Sequence, residues 1–206
     1  MNVSTTQLPL FPELPTADRV AGVDEVGRGA LFGPVVAAAV LLSPDAAEEL
    51  RALGVTDSKK LTAKARSSLV DRIREIAIDT RIGTASVAEI DSINILQASL
   101  LAMKRAIVQL SPPPQLCLID GNQRVRDLDI PQQTIVGGDR HSIAIAAASI
   151  VAKVWRDRAI VQMAADFPQY DLANNKGYGT AKHRAALKRY GTTPEHRRLF
   201  CRRAIE

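Results

Sequence analysis

Apolar and polar positions change period along this chain, and the changes mark its elements. RVAGVDEV (19–26) reads as a strand, a glycine turn interrupts it, and GPVVAAAVLL (33–42) reads as a second strand. AAEELRAL (46–53) predicts a short helix, and GVTDSKKLT (54–62) a loop. In TAKARSSLVDRIREIA (62–77), Leu69, Ile73 and Ile76 recur at helical spacing, so a helix with one apolar face is expected. IDTRIGTASV (78–87) predicts a third strand. A helix through NILQASLLAMKRAIVQL (94–110) carries Leu96, Leu100, Met103, Ile107 and Leu110 on one stripe, and SPPP ends it. QLCLID (115–120) and QQTIVG (132–137) read as short strands. SIAIAAASIVAKVWRDRAIVQMAADF (142–167) predicts a long helix whose small residues permit close approach to a sheet. The remainder is punctuated by glycine and helical in patches.

Strands first, then strands alternating with helices, predict an α/β fold with a mixed sheet covered by helices. Residues 1–18, MNVSTTQLPLFPELPTAD, are proline-rich and aperiodic, which predicts a flexible tail. Residues 19–206 are long enough for one sizeable domain, ending in a basic helical extension.

Charge adds a partner to this picture. The net charge is +5, and from Lys176 onward nine lysines and arginines stand against two glutamates. A basic face of that kind suits phosphates; a solvated surface helix is the plainer alternative. Cys117 and Cys201 sit in no metal-ligand spacing and read as reduced thiols. With no signal peptide and no membrane-length apolar run, a cytoplasmic protein with no membrane partner is expected.

Three acidic spots then demand an explanation: Asp24-Glu25 before GRG, Asp120 in LIDGN, and Asp139 in VGGDRHS. A carboxylate at a buried strand end is costly unless a cation compensates it. Carboxylates converging without His or Cys make a hard-oxygen site, favouring Mg²⁺ or Mn²⁺ over Zn²⁺. Two such ions could clamp both oxygens of a phosphodiester displacement. Taken singly, Asp120 could be a turn residue and Asp139 the cap of a helix starting near Ser142. Asp157 is set aside as a partner of Lys153 one turn back. GRGALFG is not a dinucleotide fingerprint, because its sixth position is Phe32 rather than glycine. Gly27 and Gly29 instead allow close backbone approach to a substrate, with Arg28 as a phosphate contact.

The ordered set GVDEVGRG, DSKKL, LIDGN, GD followed by AAASIVAKVWRD, KGYGTAKH and HRRLF resembles the bacterial ribonuclease HII family, from about residue 19 to the C-terminus. The resemblance implies a ribonuclease H-like mixed sheet flanked by helices, with a C-terminal helical extension. It implies cleavage of the RNA strand of RNA–DNA hybrids and nicking of duplex DNA 5′ of embedded ribonucleotides, giving 3′-hydroxyl and 5′-phosphate ends. It places the metal-binding acids on Asp24, Glu25, Asp120 and Asp139, with two Mg²⁺ or Mn²⁺ ions. Water activated by one ion would attack phosphorus in line while the other stabilises the departing 3′ oxygen. Backbone groups of Gly27, Arg28 and Gly29 would read the 2′-hydroxyl. Tyr178 would stack on the next sugar and favour deoxyribose there, and Lys59 and Lys176 would contact phosphates. His183 is expected to be a structural or phosphate contact rather than a catalytic one. One position departs from the family: the residue before Gly138, usually lysine, is Gly137, which removes a contact near Asp139.

In the tail, QLPLF resembles the peptide by which bacterial replication and repair proteins dock on the DNA sliding clamp, with Gln7, Leu10 and Phe11 as anchors. A monomer is expected. Two other functions share some of these features. A resolvase or DNA-only nuclease of the same fold would use the acids but need no 2′-hydroxyl reader. A non-catalytic nucleic-acid-binding module would leave the acids unexplained.

Overall fold

The computed structural model describes residues 17–205. Five strands form one mixed sheet in the order β3-β2-β1-β4-β5. They are β1 (Val20–Val26), β2 (Val35–Leu42), β3 (Asp79–Ala85), β4 (Leu116–Asp120) and β5 (Gln132–Ile135). β1, β2 and β3 form an antiparallel meander, while β4 and β5 add parallel to β1. Every residue of β2 is buried, which explains why VVAAAVLL shows no alternation: it is covered on both faces.

One face carries α1 (Pro44–Ala52), α2 (Ala63–Ile76) and α4 (Ile143–Met163); Ala38, Val40 and Leu42 pack there with Leu50, Ile73 and Ile150. The other face carries α3 (Val87–Ile107), where Ala37, Ala39 and Leu41 meet Ala98, Met103 and Ile107. The predicted stripe on α3 is therefore the core stripe at Met103, Ile107 and Leu110, while Leu96 is only half-buried. Helix α4 lies almost on β1. A Cβ on Gly22 would sit 2.0 Å from the Ala144 carbonyl carbon. Alanine there would push helix from strand at about 1–3 kcal/mol.

Two boundaries differ from the sequence expectation. α3 starts at Val87 rather than Asn94, because Ser86 and Glu89 form a reciprocal capping box. Asn94 then interrupts the helix with φ 68°, and its Oδ1 accepts from the Leu96 and Gln97 amides, capping the second half. α4 ends at Met163, short of Phe167, and a 3-10 turn at Pro168–Tyr170 follows. The C-terminal part adds α5 (Leu172–Asn175), α6 (Ala181–Tyr190) and α7 (Arg198–Ile205). They close a smaller core of Phe32, Ile160, Tyr170, Leu187 and Cys201. Arg197 is fully buried, so it does not belong to the basic face that its sequence neighbourhood suggests.

Candidate active site

The parallel pairing of β1 with β4 stops at Val23 opposite Ile119. Beyond that point the strands part, and the next residues are Asp24 and Glu25 on one and Asp120 on the other. In open α/β sheets ligands gather at such carboxyl ends. One carboxylate oxygen from each of the three acids lies within 4.8 Å of the other two. Asp24 is only 7% exposed. Burial, then the charges of Glu25 and Asp120, push its carboxyl well above the usual carboxylate range. Burial raises Glu25 too, against the pull of Arg28, whose Nη1 donates to Glu25 Oε1 at 3.1 Å.

The neighbours fix these side chains. Asp24 Oδ1 accepts the Glu25 amide at 2.7 Å. Ser149 of α4 favours the charged form of Asp24 and is itself bonded to Ser58 Oγ at 2.9 Å. Asp120 Oδ1 accepts the Gly138 amide at 2.7 Å, which ties β4 to the 3-10 turn Gly138–Arg140 that carries Asp139. Asp120 is thus no simple turn residue. Nor is Asp139 the cap of α4: that role belongs to Ser142, whose Oγ accepts the Ile145 amide. Asp139 is buried and lines the same cleft, although the tight group within 4.8 Å comprises the other three acids. Its Oδ2 lies 3.6 Å from Lys59 Nζ, and Arg140 Nε lies 3.5 Å from Asp57 Oδ2. These crossed ion pairs brace the DSKK turn against the Asp139 turn, and Lys59 supplies a cation on the side where Gly137 offers none.

The cleft has a volume of about 540 Å³, and Asp24, Glu25, Asp120, Asp139, Lys59 and Tyr178 all line it. Gly27, Arg28 and Gly29 form the turn directly after β1; Gly27 has φ 90°, and Gly29 is exposed with open space around it. That turn is joined to the tyrosine loop, since Gly177 O accepts the Leu31 and Phe32 amides at 2.8 and 3.2 Å. Lys176 lies elsewhere. It lines an adjoining groove of about 390 Å³ with Arg158 and Val161, and its Nζ donates to Ala173 O. Arg66 borders both spaces. Asp157 is paired with Lys153 at 2.8 Å, as its spacing predicts, and lines the adjoining groove rather than the cleft. His183 is fully buried and bonded to Tyr178 O and His196, a structural placement. Gln7, Leu10 and Phe11 lie outside the described residues.

Sequence reasoning missed Ser149, Lys153 and Arg156. Their signal is helical spacing: Ser149, Ala152, Arg156 and Ile160 form one stripe of α4, and all four are buried. A polar residue on that stripe must serve the site or its scaffold. Lys153, one position off, reaches the cleft and places Nζ 5.6 Å from the Tyr178 ring centroid.

The donor set fits a hard divalent cation. All three converging ligands are carboxylates, no His or Cys joins them, and the only ion pair to them among the described residues is Arg28 to Glu25. Carboxylates alone, at the diverging ends of parallel strands in a mixed sheet sheathed by helices, define a metal-assisted hydrolase of ribonuclease H-like fold.

Comparison with known proteins narrows that class. The family profile described as Ribonuclease HII matches residues 21–203. Ribonuclease HII of Acaryochloris marina is 60% identical over 184 residues, covering 89% of this chain and 93% of that protein. Among solved structures, the ribonuclease H2 from Pyrococcus horikoshii OT3 is similar with a TM-score of 0.74 and 28% identity, over 91% of this chain and 97% of that one. The RNase HII of Archaeoglobus fulgidus, solved as a complex with PCNA, gives a TM-score of 0.75 and 28% identity over 87% of this chain and 93% of that one. The chain belongs to the ribonuclease HII family. It is a ribonuclease H, a hydrolase of the RNA strand in RNA–DNA hybrids.

Proposed function

We propose that this enzyme also nicks duplex DNA on the 5′ side of an embedded ribonucleotide, by a two-metal displacement leaving 3′-hydroxyl and 5′-phosphate ends. The observation that carries the reading is the meeting of three parts in one place. The acid trio, the GRG turn and Tyr178 are joined through β1 and the Gly177 carbonyl. Asp24, Glu25, Asp120 and Asp139 would hold Mg²⁺ or Mn²⁺, which supply an activated water and charge neutralisation at the departing 3′ oxygen. The chain's own residues do the rest. Backbone groups of Gly27, Arg28 and Gly29 bind the 2′-hydroxyl, the group that separates RNA from DNA. Tyr178 stacks on the following sugar. Arg28, paired with Glu25 here, would be free to bind a phosphate if Glu25 held a cation. Lys59 binds a phosphate within the cleft, and Lys176 binds one along the adjoining groove. The catalytic unit is residues 19–206, working as a monomer in the cytoplasm.

The test is cleavage of a duplex with one ribonucleotide, beside an all-DNA duplex and a continuous hybrid, in Mg²⁺ or Mn²⁺ and in EDTA. A metal-dependent nick 5′ of the ribonucleotide, with the all-DNA duplex intact, is expected; cutting of all-DNA would reduce GRG to a structural turn.

A sliding clamp is the second partner. The Archaeoglobus fulgidus relative assembles with PCNA, and QLPLF in residues 7–11 has the form of a clamp-docking peptide. Purified clamp should retain the full chain and lose the Leu10→Ala/Phe11→Ala variant; equal retention would sink the idea.

A further inference from the structure

Two loops meet over one buried side chain. Arg156 of α4 is fully buried, and no carboxylate within ion-pair distance accompanies it among the described residues. It is spent on backbone. Nε donates to Pro34 O at 3.1 Å, Nη2 to Phe32 O at 2.9 Å, and Nη1 to Lys176 O at 2.9 Å. Its Cζ lies 5.4 Å from the Tyr178 ring centroid. A Cβ on Gly27 would fall 2.2 Å from Nε, so the first glycine of GRG is packed directly on the guanidinium. One planar fork therefore touches the start of the GRG turn, its exit, and both backbone and ring of the tyrosine loop.

The backbone of the tyrosine is held by a histidine pair. His196 Nδ1 accepts the Thr193 amide at 3.0 Å, and His183 Nδ1 meets Tyr178 O at 3.0 Å. A fixed donor at one end and a fixed acceptor at the other assign both tautomers. The Nε2–H of His196 donates to Nε2 of His183 across 3.1 Å, and the Nδ1–H of His183 donates to the Tyr178 carbonyl.

We propose that Arg156 is a positioning residue for substrate choice, with His183 as its counterpart behind Tyr178. Arg156 sets the spacing between the GRG turn and the tyrosine ring. That spacing fixes how strictly the sugar after the ribonucleotide must be deoxyribose. The inference rests on the proposed roles of GRG and Tyr178. Lysine cannot replace this arginine, because one ammonium on a flexible stem cannot bridge carbonyls on two loops in a fixed plane.

The readout is the ratio of cleavage rates on the single-ribonucleotide duplex and the continuous hybrid, with unfolding temperature recorded beside it. Arg156→Lys is expected to lower that ratio about tenfold, since misplacing a positioning group by about 1 Å costs up to a hundredfold. A merely structural role lowers both rates together and leaves the ratio unchanged. In a Tyr178→Ala background Arg156→Lys should have no further effect on the ratio; an additive effect overturns the proposal. Should Arg156→Lys fail to fold, His183→Ala decides: a lowered ratio supports the unit, an unchanged ratio overturns it. A wild-type enzyme without junction preference overturns the reading of Tyr178 itself, which is a separate result from a preference that the variants retain.

Discussion

Two groups of like charge are wholly or partly buried in this molecule, and they are handled in opposite ways. Asp24, Glu25 and Asp120 crowd their oxygens within 4.8 Å, and Arg28 on Glu25 is their one ion-pair partner among the described residues. Arg156 and Arg197 are also buried near one another; burial, then the Arg156 charge, pull Arg197 down to about 9. Yet each arginine fork ends on carbonyl oxygens, Arg197 through Gly33 O at 3.0 Å and Arg28 O at 2.9 Å. Neutral acceptors cannot cancel a charge, but they take up most of its donors and fix its plane. Apart from Arg197 Nη2, which is buried without a partner, the arginine joint is bonded within the protein. The acid trio is left incomplete, open to a cleft, and at neutral pH its electrostatic cost is met by a ligand from outside the chain. That difference separates a scaffold charge from a site charge.

The largest effect should come from breaking the trio. Asp24→Asn is expected to lower the hybrid-cleavage rate about a thousandfold, as loss of several kcal/mol of metal-borne stabilisation requires. The same change should stabilise the metal-free protein by about 1 kcal/mol, raising Tm by about 2–4 °C, because a like charge leaves a buried cluster. Wild-type Tm should rise with Mn²⁺, as any ligand of the native state requires, and the variant's rise should be smaller. Stability and activity moving in opposite directions is the mark of a site charge; a metal-free variant less stable than wild type breaks the comparison.

The arginine joint should behave in the reverse sense. Arg197→Met leaves the Gly33 and Arg28 carbonyls without their donors. Two orphaned acceptors, one buried and one part-buried, together with the lost packing cost about 3 kcal/mol, or about 10 °C in Tm. Because the trio is untouched, the Mn²⁺-induced rise in Tm should persist, read by thermal unfolding at fixed protein concentration. Loss of the metal response with Asp24 intact would show that the joint is electrically part of the site.

How much of this the sequence displays follows the same division. The trio is legible because paired carboxylates at a strand end have no structural use, and the chain repeats the device at Asp120. β2 and α4 are legible because their apolar patterns are long, and α2 because its apolar residues recur at helical spacing. The α3 start at Ser86 was also written in the chain, as Ser86 and Glu89 three apart, but an apolar stripe counted from Asn94 hides it. Arg197 and Arg156 were not legible as joints. A basic residue in a basic stretch looks like a phosphate contact until its acceptors are known, and those acceptors are carbonyls 122 to 169 residues away in sequence for Pro34 and Arg28. Side chains that bond to backbone leave no complementary residue type to search for. The crossed pairs Lys59–Asp139 and Arg140–Asp57 are hidden for a related reason, being two ordinary ion pairs whose meaning is that they brace two turns.

A last expected effect, which appears only as pH falls, sharpens the comparison by its sign. His196 is buried, and burial followed by the His183 charge lowers it to about 4, well under the ordinary 6.5; burial lowers His183 as well. A histidine lowered by folding contributes stability that is complete above its unfolded value and lost as pH falls towards the folded one. For His196 the window runs from pH 6.5 down to about 4, and the amount at stake is about 3 kcal/mol. Asp24 and Glu25 act oppositely, because carboxylates raised by folding become less costly as pH falls through their folded values. Acid should therefore relieve the site while loosening the joint behind Tyr178. His196→Gln isolates the second term: the amide can accept the Thr193 amide and donate to His183, yet does not titrate. Denaturant unfolding of wild type and variant without metal should show the wild type's advantage shrinking by about 3 kcal/mol between pH 7 and pH 4. A constant difference across that range would mean that His196 is solvated enough to titrate normally in the folded protein. The tyrosine loop would then lack the dry anchor on which its placement depends.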